Sequence, residues 1–243
     1  MKRWPSDPRS ALRESLAIFD RVAPRYDLMR RLVSGGREDA WKDETLRAAL
    51  PPGPLRALDL ATGTGDIAAW ILREHPGSHV VGLDAHGGML ARARAKYGTG
   101  IDWVCGDLNA LPLGARAAFD IVTIGYGMRY VPHLAGLFRA CHDLLAPAGT
   151  LWTFDLGRPR NGLWRAVWQA YLAVTGTALG IFLHARPSTY WHLLESLAAF
   201  PGQEAVAGMM REAGFPQVAV RERIGGVLAV HVARSPRTES PRE

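Results

Sequence analysis

The sequence predicts an α/β fold: one open, mostly parallel sheet wound on both faces by helices. Three observations carry that prediction. Short apolar runs rich in Val, Ile and Leu alternate with helix-like stretches, the order that βαβ units produce. The first apolar run ends in glycines that open the next helix, as in a ligand-binding strand–turn–helix unit. The breaks fall on turn chemistry, with His75-Pro76-Gly77 and Ala146-Pro147-Ala148-Gly149 each ending a helix.

Taken in order, residues 9–50 read as two or three helices forming an N-terminal cap. Strands are expected at 55–61, 79–84, 101–105, 119–126 and 150–156, with helices at 67–74, 88–97 and 134–145 between them. The stretch 161–184 departs from this pattern, being long and apolar with Arg165 its one fully charged residue. By length it passes for a membrane span. Gly176 and Gly180 interrupt it, however, so the reading is a helical insert over 157–200 that is buried or covers a substrate. A helix at 203–213 and strands at 217–223 and 227–232 follow. Residues 1–234 are taken as one domain, and the polar tail from Ser235 is expected to be disordered.

A chain of 243 residues that is 48% hydrophobic and 21% charged suits a single core. Met1-Lys2-Arg3-Trp4-Pro5 runs into charged residues without an apolar stretch, unlike a secretory signal. Cys105 and Cys141 lie far apart with no paired Cys/His spacing, which argues against a metal site and for a reduced, cytoplasmic setting. The net charge of +6 is carried almost wholly by arginine. It fits nucleic acid, an anionic membrane surface or an acidic ligand, and equally a solvated arginine-rich surface.

The most informative segment is Leu58-Asp59-Leu60-Ala61-Thr62-Gly63-Thr64-Gly65-Asp66. Glycines here let the backbone turn sharply and let a ligand approach the main chain. The second strand ends in Asp84, nineteen residues after Gly65, where a carboxylate can accept both hydroxyls of a ribose. The third ends in Cys105-Gly106-Asp107-Leu108, where an acidic side chain is placed to reach an adenine amino group. Gly63-x-Gly65-x-x-Ala68 also satisfies the dinucleotide fingerprint, so a nicotinamide oxidoreductase is the rival reading. Asp59 ahead of the glycines and Gly106-Asp107 after the third strand favour S-adenosylmethionine, which has no phosphate to cradle.

Enzymes that methylate exocyclic amines commonly carry an Asn/Asp-Pro-Pro-aromatic run after the fourth strand. Here that place reads Gly125-Tyr126-Gly127-Met128-Arg129-Tyr130, which lacks the acceptor clamp and argues against a nucleic-acid substrate. Methylation at a ring carbon requires alignment and a neighbouring hydroxyl weakened toward phenolate. Because a phenol ionises near pKa ~10, a cation beside it helps, and Arg129 is placed for that role. His133 is a candidate for proton transfer and Asp155 for polar positioning. Tyr26, Tyr190 and Trp191 fit either an aromatic pocket or plain packing.

These residues resemble the ubiquinone/menaquinone biosynthesis C-methyltransferases along nearly the whole chain. The specific matches are Phe19-Asp20-Arg21-Val22-Ala23-Pro24-Arg25-Tyr26-Asp27 and, late in the chain, Tyr190 with Glu195-Ser196 and Phe200-Pro201. The resemblance implies a class I methyltransferase fold, Rossmann-like, with seven strands and the last antiparallel. It implies donor contacts at Thr64, Asp84, Asp107 and Leu108, within a donor site that also takes in Asp59, Thr62, Gly63, Gly65, Ala85, Met89, Gly106 and Gly125. Substrate-side roles fall to Tyr26, Arg129 and Tyr190, and the substrate class is a prenylated quinol whose tail the 161–184 insert would cover. A lipophilic substrate brings with it an expected peripheral contact with the membrane surface, where Arg25, Arg30 and Arg31 would meet headgroups. The chain departs from the family pattern at Tyr130 and at Met29-Arg30-Arg31, where Asn is usual, and at Gly125, where Ser or Ala is usual.

Overall fold

The computed structural model describes residues 7–111, 118–184 and 186–236. The start of the chain and the tail from 237 lie outside the described residues. Seven strands form one sheet in the order β3-β2-β1-β4-β5-β7-β6: β1 (Arg56–Leu60), β2 (His79–Asp84), β3 (Asp102–Cys105), β4 (Phe119–Gly125), β5 (Leu145–Leu156), β6 (Gln217–Arg223) and β7 (Leu228–Arg234). All neighbours pair in parallel except β7, which runs antiparallel to both β5 and β6. The order reverses between β1 and β4, and the crevice beyond the carboxyl ends of these strands is where open α/β sheets bind ligands.

The parallel strands are apolar throughout because both faces are covered. One face buries Leu58, Leu60, Leu83, Val122, Ile124 and Leu151 against α6 (Leu134–Leu144) and α9 (Gln203–Glu212), with the wholly buried Phe138 between. Truncating Phe138 to Ala would cost about 3–5 kcal/mol. The other face buries Ala57, Val80, Ile121, Trp152 and Val230 under α3 (Glu38–Ala49) and α4 (Asp66–Glu74). Strict alternation of side chains along each strand sends neighbours such as Ala57 and Leu58 to opposite layers. The remaining helix of this framework, α5 (Gly87–Tyr97), links β2 to β3.

The N-terminal cap is built from α1 (Pro8–Val22) and α2 (Tyr26–Ser34), followed by α3. Asp7 caps α1 by accepting from Ser10 N at 2.8 Å, with Pro8 in the first turn, where its missing N–H costs nothing.

Three expectations need correction. The break at 146–149 is a bulge within β5: pairing jumps from Phe119↔Leu145 to Ile121↔Thr150, and Ala148 takes φ 60°. Ser235 and Pro236 are not part of a loose tail, since Ser235 N donates to Gly149 O at 2.9 Å and Pro236 O accepts from Ala148 N at 3.0 Å. Gly176 and Gly180 do not interrupt the insert, which is a continuous helix α7 (Gly162–His184) followed by a turn and α8 (Trp191–Ala199). They admit the returning chain instead: a Cβ at Gly180 would collide with the Arg186 carbonyl, and one at Gly176 would meet Tyr190 at 3.3 Å.

Nor is α7 buried. Leu163, Val174 and Phe182 are 77%, 71% and 84% exposed, and within α7 only Leu172 and Gly180 are buried. By length and composition α7 is apolar enough to cross a membrane.

Candidate active site

The glycine turn after β1 is held from beneath. Asp59 is wholly buried and accepts from the hydroxyls of Thr62 and Thr123, each at 2.6 Å. Burial pushes its carboxyl up to about 6 against those two bonds. The Asp59 carboxylate and Thr62 hydroxyl, expected to touch a ligand, are thus spent on each other and on the sheet. Gly65 takes φ 85° to start α4, and a Cβ there would lie 2.6 Å from the Trp103 ring. The Thr64 hydroxyl also turns away from the expected ligand, donating to Asp27 of α2 at 2.8 Å.

Asp84 ends β2 facing a cleft, beside Gly63, Ala85, Met89, Asp107, Leu108 and Gly125. Gly63 N–H and His86 N–H donate to its two oxygens, each at 2.8 Å. Burial raises its carboxyl above the ordinary carboxylate value and these bonds oppose the shift. Each oxygen retains a lone pair for a further donor. Asp107 holds its own loop by accepting from Asn109 N at 2.9 Å, while Gly106 N continues the ladder to Asp84 O at 3.0 Å. A Cβ at Gly125 would sit 2.5 Å from Ile67 Cδ1, so the close packing of β4 on α4 excludes a side chain there.

The cap roofs this cleft with Leu12, Ser15, Leu16 and Phe19 of α1, leaving a volume of about 70 Å³. Ligand pockets span roughly 300–1,000 Å³, so α1 closes this cleft well below the size of an open ligand site. His86 Nε2 and Asp20 Oδ1, 2.7 Å apart, tie α1 to the cleft. Arg30 is buried and bridges Glu38 at 2.5 Å, Asp39 at 2.9 Å and Asp66 at 2.5 Å. Lys96 reaches Asp66 at 2.6 Å and Asp27 at 3.1 Å. Arg30 therefore fastens the cap to the start of α4, which corrects its assignment to headgroups.

A second cavity of about 470 Å³ adjoins the first. Phe19, Tyr26, Tyr126 and Tyr130 line both, forming an aromatic collar between the small cleft that Asp84 faces and a larger, mainly apolar chamber. Tyr126 takes φ 59°, a strained conformation for a non-glycine residue, which turns it at the end of β4. Trp168 of α7, Leu156 and Leu228 line the chamber, as do Arg129, Tyr190 and His192.

Arg129 is 5% exposed and its partner Asp155 1%. Arg129 Nε donates to Asp155 Oδ1 at 2.6 Å and Nη1 to Ser196 Oγ at 3.3 Å. Its guanidinium lies 5.5 Å from the Tyr130 ring centre. The cation expected from the sequence is thus half of a buried ion pair, whose field on a substrate is directional rather than that of a bare charge. Asp155 Oδ2 has no partner among the described residues.

Burial raises the Tyr26 hydroxyl well above its ordinary range, and raises that of Tyr190 to about 12. The Tyr190 hydroxyl lies 2.9 Å from His184 Nε2. His133 is not brought here: it is exposed at the head of α6, beside Leu111 and Pro8. Trp191 is exposed and hydrogen-bonds Thr177 at 3.2 Å, so it lines neither compartment. Sequence reasoning missed His192, Tyr126 and Phe19 as lining residues. His192 follows Tyr190 by two positions at the start of α8, where no periodicity marks it.

Among the described residues no group of three or more His, Cys, Asp or Glu is placed to hold a metal ion. The arrangement can hold a nucleoside at Asp84 and present something attached to it, through the aromatic collar, to a flat apolar molecule beside Arg129.

Comparison with known proteins agrees. The ubiE/COQ5 methyltransferase family model matches residues 11–235. The demethylmenaquinone methyltransferase of Thermus thermophilus is 38% identical over 222 residues, covering 90% of this chain and 100% of that protein. The ubiquinone/menaquinone biosynthesis C-methyltransferase UbiE of Cereibacter sphaeroides is 33% identical over 219 residues, covering 88% of this chain and 87% of its own. Among solved structures, an S-adenosylmethionine-dependent methyltransferase from Mesorhizobium loti shares the fold at a TM-score of 0.58 and 24% identity, over 79% of this chain and 97% of that one. One from Aquifex aeolicus does so at 0.56 and 14%, over 79% and 88%. With the family model covering nearly the whole chain and the site's two compartments in place, the chain belongs to the ubiE/COQ5 methyltransferase family.

Proposed function

We propose that this protein transfers a methyl group from S-adenosylmethionine to a ring carbon of a prenylated quinol, in the biosynthesis of a menaquinone or ubiquinone. The observation that carries this reading is the aromatic collar, which joins the cleft that Asp84 faces to an apolar chamber large enough for a ring. The relatives are named as a demethylmenaquinone methyltransferase and a ubiquinone/menaquinone biosynthesis C-methyltransferase, which supports carbon methylation in quinone biosynthesis. Family membership also removes the rival oxidoreductase reading of the glycine turn.

The donor set fits. Asp84 would accept the two ribose hydroxyls on its remaining lone pairs, Asp107 and Leu108 would meet the adenine, and Gly63, Ala85, Met89 and Gly125 would line the rest. Once bound, S-adenosylmethionine supplies an electrophilic methyl group on a positively charged sulfur. Everything else falls to the chain. Tyr26, Tyr126, Tyr130 and Phe19 exclude water from the passage between the compartments and hold the ring flat. Arg129, oriented by Asp155 and Ser196, presents its outer edge to a ring hydroxyl and stabilises charge developing on that oxygen. Trp168 contributes an apolar face to the chamber wall.

The prenyl tail would leave the chamber past α7. Leu163, Val167, Val174 and Ile181 recur at helical spacing along one exposed side of α7, and the helix carries no acidic residue. This stripe would rest on the membrane surface, with the exposed Arg25 and Arg31 toward anionic headgroups at about 1 kcal/mol each. The working location is the cytoplasm, peripheral to the membrane, with no nucleic-acid partner. The test is turnover of a prenylated demethylnaphthoquinol with S-adenosylmethionine, read as a product heavier by one methylene. A tail-less quinol preferred over the prenylated one would remove the quinone assignment and point to another aromatic metabolite.

A further inference from the structure

We propose that His192 is the proton acceptor of the reaction, taking the ring hydroxyl's proton on its Nε2. The proposal rests on the quinol reading above. His192 lines the chamber together with Arg129, Tyr130 and Tyr190, its ring centre 6.5 Å from that of Tyr130 and 6.4 Å from that of Tyr190. Its Nδ1 lies 2.9 Å from the Thr189 carbonyl oxygen. A carbonyl can only accept, so the proton of the neutral ring sits on Nδ1 and the lone pair on Nε2. Nε2 has no hydrogen-bond partner among the described residues.

Other basic groups near the chamber are committed. His184 holds the Tyr190 hydroxyl, and His231 is bonded through both nitrogens, to Thr153 Oγ1 at 3.1 Å and Gln203 O at 2.9 Å. Glu38 is held by Arg30 and Lys42; Asp155 is paired with Arg129 through Oδ1, and with its bare Oδ2 buried it does not line the chamber. The hydroxyls of Tyr26, Tyr126, Tyr130 and Tyr190 are all raised by burial and stay protonated.

The groups facing His192 are Arg129 and Tyr130 after β4, Tyr190 before α8, and Arg21 on α1. Burial first, then Arg129 and Arg21, push its imidazole down to about 4. It is therefore neutral, with its lone pair available, throughout the physiological range. A base this weak does not ionise a phenol of pKa ~10 in advance. It suits a proton that becomes acidic only as the ring gives up electron density, beside the guanidinium of Arg129. The step balances. The ring carbon forms a bond to the methyl carbon while the S–CH3 bond breaks and its electron pair stays on sulfur. The O–H bond breaks and its proton passes to Nε2. The ring carbon's own hydrogen then leaves as a proton to water, and the imidazolium returns its proton to the ring oxygen, for a net release of one proton.

The test uses the full chain with a prenylated demethylnaphthoquinol kept reduced. His192→Ala should bind S-adenosylhomocysteine like wild type and lose at least about 100-fold in single-turnover rate, with free imidazole restoring part of it. In ¹⁵N-histidine-labelled protein, the His192 Nε2 resonance, assigned by its absence in His192→Gln, should shift when the quinol and S-adenosylhomocysteine are added together. A rate within about threefold of wild type, a loss that imidazole does not relieve, or an unmoved Nε2 resonance at saturating quinol overturns the proposal while the quinol reading stands. Failure of wild type to methylate the quinol overturns both.

Discussion

Replacing Arg129 tests whether it serves the reaction or only the fold, and the structure shows why the simple variant cannot answer alone. Arg129 and Asp155 are both almost fully buried and bonded at 2.6 Å. Arg129→Ala leaves the Asp155 carboxylate in a low-dielectric site, with the Leu156 N–H as its remaining partner and one oxygen already bare. Breaking one side of such a pair costs about 3–5 kcal/mol, whereas replacing both sides by neutral groups of similar shape is close to neutral. Arg129→Ala should therefore lower the urea midpoint sharply. Arg129→Met combined with Asp155→Asn should recover most of the loss, a coupling of several kcal/mol in the double-mutant cycle. Donor affinity, measured by calorimetry with S-adenosylhomocysteine, should be unchanged in the double variant because neither residue lines the donor cleft. Turnover should nevertheless stay low, as expected when an interaction made in the transition state is removed. Wild-type turnover in the double variant would assign the pair to the fold alone. An Arg129→Ala protein as stable as wild type would refute the buried-pair argument itself.

Asp84→Ala should weaken S-adenosylhomocysteine binding at least about tenfold, since charge-assisted bonds of about 1.5–3 kcal/mol each are lost; wild-type affinity would misplace the donor site. Asp59 offers a pH test. Its folded-state pKa of about 6 lies above the ordinary 3.8, so between these values the folded chain keeps a proton that the unfolded chain has lost. Its contribution then declines as pH rises from about 4 to 6, by about 3 kcal/mol, and is flat above. Asp59→Asn should remove that slope from the difference profile of urea midpoints, and parallel profiles would contradict the burial argument. On α7, Val174→Glu should change stability by less than about 0.5 kcal/mol, because the side chain is exposed. It should still weaken binding to anionic liposomes, and unchanged binding would place the membrane contact elsewhere.

The parts of this protein legible in the sequence are those that local chemistry decides. A strand covered on both faces must be apolar throughout, so β1, β2, β4 and the core of β5 announce themselves, and β6 (Gln217–Arg223) was bounded to the residue. The glycine turn and Asp84 were legible for a similar reason, because a tight turn and the carboxylate ending the next strand are features of short segments. What the tertiary structure alone decided are pairings across long stretches of chain. Thr64 and Asp27 lie 37 positions apart, Arg30 and Asp66 36, and Arg129 and Asp155 26. Thr64 and Arg30, which sequence reasoning aimed at a ligand and a membrane, become ties within the fold, and Arg129 becomes half of an ion pair that also lines the chamber. Hydrogen bonding is directional and short-ranged, so a side chain's partner depends on which strand ends the sheet brings together. The same holds for α7, whose apolar composition fits burial, a span or a surface stripe, and whose exposure was settled only by which neighbours the fold places beside it. His192 is the limiting case: nothing around it in the sequence marks a base, and its role follows from a carbonyl three residues back that fixes one nitrogen and a chamber that leaves the other open.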